Sequence, residues 1–174
     1  QNGDGVIDNQ DEVYLGKAGW FGSPLTLGVN FTAEWKDFTF FALGIGRFGA
    51  HGMKNSSYFW MDGEDKYSIV ARDRWTPETS ETATYPRLTT TNSNNNFRNS
   101  DFWLYSTDRF DLAKVQISYN LPKELFAQSF VQELGVYVNG ANLLTVSPER
   151  EILELNVGSA PQNRFYNLGV KAIF

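Results

Sequence analysis

Oxygen-bearing side chains recur at alternate positions at the start of the chain. Asn2, Asp4, Asp8 and Asp11 follow the ligand spacing of a calcium-binding loop, and Gly5 permits the sharp turn that such a loop needs. The usual first ligand would precede Asn2, and Asp11 stands where a bidentate glutamate is usual. The pattern therefore leaves two interpretations, a calcium site and a solvated Asn-Gly and Asp-Gly turn.

A second group of candidate residues lies between His51 and Asp101. Trp60, Trp75, Tyr85 and Arg87 combine aromatic faces with a planar charged group, which suits contact with sugar rings or extended peptides. The same side chains can instead pin a long loop against its neighbours or belong to an interfacial aromatic girdle. The structural interpretation is the stronger of the two.

Catalytic chemistry has little support. The chain has no cysteine and one histidine, His51, and it lacks the Gly-x-Ser-x-Gly motif of many hydrolases. Acidic residues of the same region could act as a glycosidase pair only on a rigid frame, and as loop carboxylates they are expected to be solvated; they are Asp62, Glu64, Asp65, Glu78 and Glu81. We predict that the protein is not an enzyme.

Composition narrows the remaining classes. The net charge is −5 with scattered Lys and Arg, which argues against a nucleic-acid partner. The longest apolar stretch, Phe38 to Ile45, falls far short of the roughly 20 residues of a membrane-spanning helix. Aromatic residues make up 16% of the chain, beside 15 glycines, and these residue types favour strands and turns.

Alternation of apolar and polar residues is the strongest structural pattern. It extends over residues 25–34, 114–121, 134–138 and 166–174 and predicts strands with one apolar and one polar face. A further segment, 37–49, is apolar on both sides, so its facing stays open. The polar set is expected to line a wet interior and comprises Thr26, Asn30, Thr32, Glu34, Lys114, Gln116, Ser118, Asn120, Asn139, Asn167 and Lys171.

Segment lengths and connections indicate a membrane barrel. The segments exceed the roughly 5 to 6 residues of ordinary soluble strands and match the roughly 9 to 11 of tilted membrane-spanning strands. Short turns at 35–37 and 122–130 alternate with long connections at 50–101 and 145–162. We predict an all-β fold with about five to six antiparallel strands of a large transmembrane barrel, incomplete on its own because barrels begin at about eight strands. A soluble β-sandwich is the alternative.

Several motifs in order along the chain carry a family resemblance: NGDGVIDNQDEVYLG, SPLTLGVNFTAEWKDFTFFALGIGRFG, RWTPETSETATYPRL, SDFWLYSTDRFDLAKVQISYNLP, GVYVNGANLLT and RFYNLGVKAIF. Together they resemble the C-terminal portion of SusC/RagA-family TonB-dependent transporters, and they cover essentially the whole chain. The resemblance implies a barrel of about 22 strands with an N-terminal plug, in the outer membrane of a Gram-negative bacterium.

The resemblance also implies a function and partners. The family imports glycan oligosaccharides or peptides beneath a SusD-like surface lipoprotein, with energy delivered by TonB. This chain would supply part of the wall, in contact with outer-membrane lipid and with the rest of its own barrel and plug, and no cofactor beyond calcium is expected. The alternative function is a surface receptor or adhesin that binds a partner without importing it.

The predicted organisation divides the chain into six parts. They are a surface loop with the calcium-like motif (1–22), a hairpin (23–49), a long extracellular loop (50–101), a second hairpin (102–144), an extracellular loop (145–162) and a closing strand (163–174). We expect the chain to begin inside a loop, after a strand that lies upstream. Phe174 and Tyr166 resemble the terminal signal that barrel-assembly machinery recognises.

Overall fold

A computed structural model describes residues 2–19, 22–61, 68–90 and 95–174. The chain forms two compact units: a smaller one, Gln1–Phe21 with His51–Ser106, and a larger one, Gly22–Ala50 with Thr107–Phe174. The described residues contain seven strands, which are β1 (Leu25–Trp35), β2 (Phe38–Phe48), β3 (His51–Met53), β4 (Leu104–Ser106), β5 (Arg109–Asn120), β6 (Glu133–Val146) and β7 (Phe165–Ile173).

The larger unit is one five-stranded antiparallel sheet. Its strand order is β1-β2-β5-β6-β7, so sequence neighbours within the unit are also neighbours in space, as in an up-and-down barrel wall. The sheet is open, with β1 and β7 at its edges. The predicted all-β, antiparallel barrel-wall fold is confirmed.

The connections at one end of this sheet are short, and those at the other end are long. At one end Lys36 and Asp37 join β1 to β2, and a turn with a 3-10 helix, Lys123–Phe126, joins β5 to β6. Lys36 has φ 53°, the left-handed conformation that tight hairpins favour. At the other end lie the long connection after β2 and the segment before β7 that contains helix α1 (Arg150–Leu155). The predicted alternation of short and long connections is confirmed.

The register assigns every strand residue to a face, because residues directly opposite one another on antiparallel strands point to the same side. Leu25 pairs with Phe48, Phe31 with Ala42, and Trp35 with Phe38. This answers the open question of segment 37–49: Phe38, Phe40 and Ala42 lie on the apolar face, whereas Phe41, Leu43 and Ile45 lie on the polar face. The whole predicted polar set lies on that second face.

Strand β5 carries a bulge at Ala113. Leu112 pairs with Gly44 and Lys114 with Leu43, which leaves Ala113 without an opposite residue in β2. The neighbouring strand is distorted at the same level, where Asn142 adopts φ 55°. An extra residue reverses the alternation of a strand. If the alternation of residues 114–120 continued without the bulge, each side chain before Ala113 would lie on the other face of the sheet.

Some predicted boundaries differ from the structure. Strand β5 begins at Arg109, whereas alternation placed the start of this segment at Lys114, because the bulge interrupts the period-two pattern. Strand β6 continues through Val146, so the predicted boundary between residues 144 and 145 falls inside a strand. Residues 50–101, predicted as a loop, include β3 and three 3-10 helices, Ile69–Asp73, Pro77–Thr79 and Asp101–Trp103, the last of which extends past residue 101.

The smaller unit has a hydrophobic core of its own. Buried residues meet there with partly buried neighbours such as Trp60 and Leu88, and β3 pairs with β4 as a short ribbon beside them. The buried members are Met61, Ala71, Tyr85, Phe97 and Trp103. Within the described ranges, no helix is long and apolar enough to cross a membrane.

Candidate functional site

A charged cluster lies on the polar face of the large sheet, at the end with the long connections. The Nη1 group of Arg47 donates a hydrogen bond to Oδ2 of Asp111 at 2.8 Å. Arg109 forms an ion pair with the same oxygen, its Nε lying 3.1 Å away without hydrogen-bond alignment. Thr145 donates its hydroxyl to the other carboxylate oxygen at 2.8 Å. The buried carboxylate of Asp111 is thus held from both sides.

The bulge explains why this cluster faces inward. In β5, Val115, Ile117 and Tyr119 are the apolar-face residues, and an unbroken alternation would continue that face through Asp111 and Arg109. The extra residue at Ala113 instead gives the apolar face to Phe110 and Leu112. A charged side chain on a lipid-facing surface is costly, so the bulge keeps the barrel exterior apolar and gathers the charges on the other face.

Polar side chains continue along this face toward the short-turn end. A concavity of about 430 Å³ is lined there by Gln116, Ser118, Asn120, Tyr137 and Lys171, among others. Lys171 pairs with Glu133 at 2.9 Å. Paired polar groups beside an open concavity form a surface that water wets, and they contain no arrangement of nucleophile and base.

The opposite face is apolar and exposed. From Leu25 to Trp35 a strand rises about 33 Å at about 3.3 Å per residue, and a tilt of about 40° leaves about 25 Å along the sheet's height, the thickness of an outer-membrane apolar band. Aromatic rings gather at the short-turn edge, where Phe38 lies 4.6 Å from Tyr119 and 6.3 Å from Trp35 between ring centroids. This matches an interfacial aromatic girdle.

The acidic motif at the start of the chain forms a closed loop. Asp11 accepts hydrogen bonds from the backbone N–H groups of Asn2 at 2.7 Å and Asp8 at 3.1 Å, and Asp4 accepts one from Val6 at 2.8 Å. These bonds stabilise the carboxylate form and lower the pKa values of Asp4 and Asp11. Asp8 caps the 3-10 helix Asn9–Asp11.

The geometry of the loop does not decide between a calcium site and a solvated turn. Hydrogen bonds to backbone N–H groups satisfy the carboxylates that the motif would offer to an ion. In the part of the chain that the structure describes, no group of three or more His, Asp or Glu side chains is arranged to hold a metal. Calcium binding stays a prediction for this loop.

The four predicted contact residues of the long loop differ in burial: two are packed in the smaller unit and two are exposed. Tyr85 is 5% exposed, and its hydroxyl donates to the carbonyl of Phe59 and accepts from the N–H of Met61 at 3.2 Å. Trp60 is half-buried and packs 6.2 Å from Trp103. These contacts account for both side chains by packing.

Trp75 and Arg87 differ from that pair because both are exposed. The backbone N–H of Trp75 bonds to the carbonyl of Tyr85 at 2.8 Å, which fixes the main chain at this position. These two are the predicted contact residues that a ligand could still reach.

The acidic residues considered for catalysis do not support it. A hydrogen bond from its own backbone N–H, and then one from Thr76, lowers the pKa of the exposed Glu78. A general acid needs the opposite shift. Asp62, Glu64 and Asp65 lie outside the described residues. His51 packs against Gly16 in the smaller unit, and we assign it no role.

At the chain's end, the ring of Phe174 stacks on Phe130 with centroids 5.4 Å apart. Tyr166 lies on the apolar face opposite Gly140 and is largely exposed. Both side chains are accessible, as a recognition signal requires, and that role stays a prediction.

The candidate site residues that the sequence pattern did not single out are Arg47, Arg109, Asp111 and Thr145. One sequence feature points to them: apolar residues occupy even positions at Phe110 and Leu112 but odd positions from Val115 to Tyr119. That change of parity marks the bulge.

Comparisons with known proteins agree with this architecture. No family model matches the chain. It is 30% identical, over its whole length, to TonB-dependent receptor P26 of Formosa agariphila, of which it spans 19%. It also resembles the RagAB peptide importer in the open-open state, with 25% identity and a TM-score of 0.57, covering 72% of this chain and 14% of that one.

A second state of the same assembly gives the same result. The closed-closed RagAB structure matches at 23% identity with a TM-score of 0.56 over 72% of this chain and 14% of that one. The relatives are a receptor and an importer rather than enzymes. The chain is therefore similar over its whole length to a TonB-dependent receptor, and it fits a SusC/RagA-like C-terminal segment.

Proposed function

We propose that this chain forms part of the wall of a TonB-dependent transporter that imports nutrient oligomers across the outer membrane of a Gram-negative bacterium. The observation that carries the proposal is one sheet with two faces: an exposed apolar face about as tall as a membrane interior, and a polar face with concavities and paired charges. A multi-pass wall between lipid and an aqueous interior has this pattern.

The relatives support import as the activity of the whole protein. Solved structures similar to this chain include those of a peptide importer, and a relative in sequence is a TonB-dependent receptor. We infer a cargo of peptides or glycan oligosaccharides, a SusD-like surface lipoprotein, and TonB acting through a part of the receptor outside this chain. The other partners are outer-membrane lipid and the rest of the barrel and its plug.

Uptake by cells tests this proposal. A strain that lacks the full gene should lose growth on the cognate polymer, and complementation should restore it. Fluorescently labelled peptides and oligosaccharides should become protected inside wild-type cells and stay outside cells that lack TonB. Binding without TonB-dependent internalisation would overturn import and favour the alternative, a surface receptor or adhesin.

We also propose that the Asn2–Asp11 loop binds calcium. Its support is the ligand spacing together with the carboxylates of Asp4 and Asp11, whose ionised form is stabilised by backbone N–H groups. Calorimetric titration of the full receptor with Ca²⁺ should give saturable heat that Asp11→Asn strongly reduces, since a carboxylate ligand becomes an amide. An equal heat in wild type and variant, or none in either, would refute the site.

We propose, third, that Phe174 serves as part of the signal for barrel assembly. Replacing Phe174 with alanine should lower the fraction of receptor inserted in the outer membrane, whereas Phe174→Tyr should preserve it. Phe130→Ala is the matched control, because it removes only the stacking partner. Equal losses for Phe130→Ala and Phe174→Ala would show that the stacking contact, rather than recognition, is responsible.

A further inference from the structure

We propose that the Arg47–Arg109 pair is a binding point for a carboxylate carried by cargo inside the transporter. This inference rests on the proposed function, because it needs the polar face of the sheet to line the import path. Beyond that function, it names a chemical group of the cargo, a carboxylate, and the two residues that recognise it.

The charges of the cluster do not balance. Arg47 and Arg109 are directly opposite one another on β2 and β5, an arrangement that is unfavourable for like charges. A single carboxylate, Asp111, lies between them. The cluster therefore carries one excess positive charge in a chain whose net charge is −5.

Donor capacity remains on both arginines. A guanidinium offers several N–H donors in a rigid fork and no acceptor. Asp111 takes one hydrogen bond from Arg47, and the ion pair with Arg109 lacks hydrogen-bond alignment. Nε of Arg109 is buried, but about a third of each arginine side chain is exposed, at 36% and 29%. An incoming anion would therefore approach the terminal guanidinium nitrogens.

The site is built rather than incidental. The bulge at Ala113 turns both Arg109 and Asp111 onto the polar face, and bulges often re-aim side chains near functional sites. Thr145, which is 2% exposed, fixes Asp111 from the far side. A purely structural ion pair would need one arginine for this carboxylate, and the second arginine is the part that a structural role leaves unexplained.

Carboxylate is the anion that fits this geometry. Its two oxygens accept parallel N–H bonds from one guanidinium, and two guanidiniums on neighbouring strands can share it. Such a group occurs at the C-terminus of a peptide, in acidic side chains and in uronic acid sugars. Both proposed cargo classes can therefore supply it, and the experiment must separate them.

Binding of matched probes to the full receptor in detergent tests the site. One probe pair is hexaalanine with a free C-terminus and the same peptide with a C-terminal amide. The other pair is trigalacturonate and its methyl ester. We expect wild-type receptor to bind the acid form of at least one pair about tenfold more tightly than the neutral form, as charged hydrogen bonds imply.

Substitutions assign that preference to residues. Arg47→Gln combined with Arg109→Gln should reduce the acid preference to within about twofold, and Arg109→Lys, which keeps the charge but loses the fork, should give an intermediate value. Arg164→Gln is the matched control, since Arg164 is an exposed arginine that pairs with Glu154 at 3.6 Å; it should retain the wild-type preference. Thermal unfolding of each variant shows whether it is folded.

Each outcome decides the proposal. Acid preference in the peptide pair alone, the sugar pair alone or both supports it and identifies the source of the carboxylate. Equal binding of acid and neutral forms, no binding of any probe, or a preference that survives the double substitution overturns it. If the binding results overturn this inference, TonB-dependent uptake of a neutral cargo by the double variant would show that the proposed import function still holds.

Discussion

The two compact units of this chain place aromatic side chains in opposite ways. In the smaller unit, Tyr85, Phe97 and Trp103 are buried against one another. In the larger unit, Phe31 and Tyr166 are more than half exposed on one face of a sheet. An apolar core is stable in water, whereas a large exposed apolar face is stable only when another apolar phase covers it. The two units are therefore adapted to different solvents.

The same contrast holds for polar groups. The large sheet keeps its charges on the face opposite the apolar one, where Asp111 is bound by two arginines and a threonine. The smaller unit uses side chains to satisfy backbone groups within its core, as the hydroxyl of Tyr85 does. The large sheet thus satisfies its buried polar atoms by pairing charged side chains, and the smaller unit does so by hydrogen bonds between side chains and backbone.

Creating a cavity in the core of the smaller unit should cause the largest loss of stability. Trp103→Ala removes a side chain that is 3% exposed and should cost about 3–5 kcal/mol of local stability. Hydrogen exchange on the full receptor should increase across residues 51–106 and not in β5 to β7. Trp75→Ala, at an exposed position, is the control and should change little. An equal increase in both units would show that they share one core.

A charge on the apolar face should give the next largest effect. Leu168→Arg, near the middle of β7, should cost about 2–4 kcal/mol of folding free energy in a bilayer, because the guanidinium would meet lipid. Asn167→Arg, one residue away on the polar face, should cost much less. Refolding of the two full-length variants into vesicles measures the difference. Equal stabilities would contradict the assignment of the faces.

Packing of a ring over a glycine should give a smaller effect. A Cβ atom added at Gly44 would lie 2.2 Å from Cζ of Phe110, so Gly44→Ala should cost about 1–3 kcal/mol. Phe110 lies on the exposed face and can rotate, which limits the loss. Gly28→Ala is the control, since no described atom lies within 4 Å of a Cβ there. Thermal unfolding should rank the glycine at 44 as the more sensitive one.

The smallest effect should come from one hydroxyl in the core of the smaller unit. Tyr85→Phe leaves the N–H of Met61 and the carbonyl of Phe59 unpaired and should cost about 1–2 kcal/mol. Burial raises the pKa of Tyr85 above its ordinary 10.0, so its contribution is present below pH 10 and is lost as pH rises further. The protection of residues 59–61 against hydrogen exchange, relative to the intrinsic rate at each pH, should fall at high pH in wild type and change less in the variant.

Much of the sheet could be predicted from local patterns. Alternation identified four of the strands because side chains on a strand point to opposite sides in turn, and the polar set from Thr26 to Lys171 lies on one face as that pattern predicted. Segment 37–49 could be predicted as a strand but not oriented, since Phe41, Leu43 and Ile45 are apolar residues on the polar face. Only pairing with β1 and β5 decides their side.

The candidate charge cluster could not be predicted in the same way. Arg47 and Arg109 are far apart in sequence and become neighbours only through the pairing of β2 with β5. Asp111 reaches them because a single bulged residue reverses the facing of its strand. Period-two reasoning ends at such a bulge, although the change of parity between Leu112 and Val115 marks it.

The sequence by itself determined the type of sheet, its two-faced character and the likeness to SusC/RagA-type transporters, because these depend on local alternation and on motif order. The tertiary structure alone decided three things: which face segment 37–49 presents, that residues 51–106 contribute to a unit with its own core, and that Arg47, Arg109 and Asp111 meet. The physical reason is that register, core packing and charge pairing depend on contacts between distant residues, and a local pattern does not contain them.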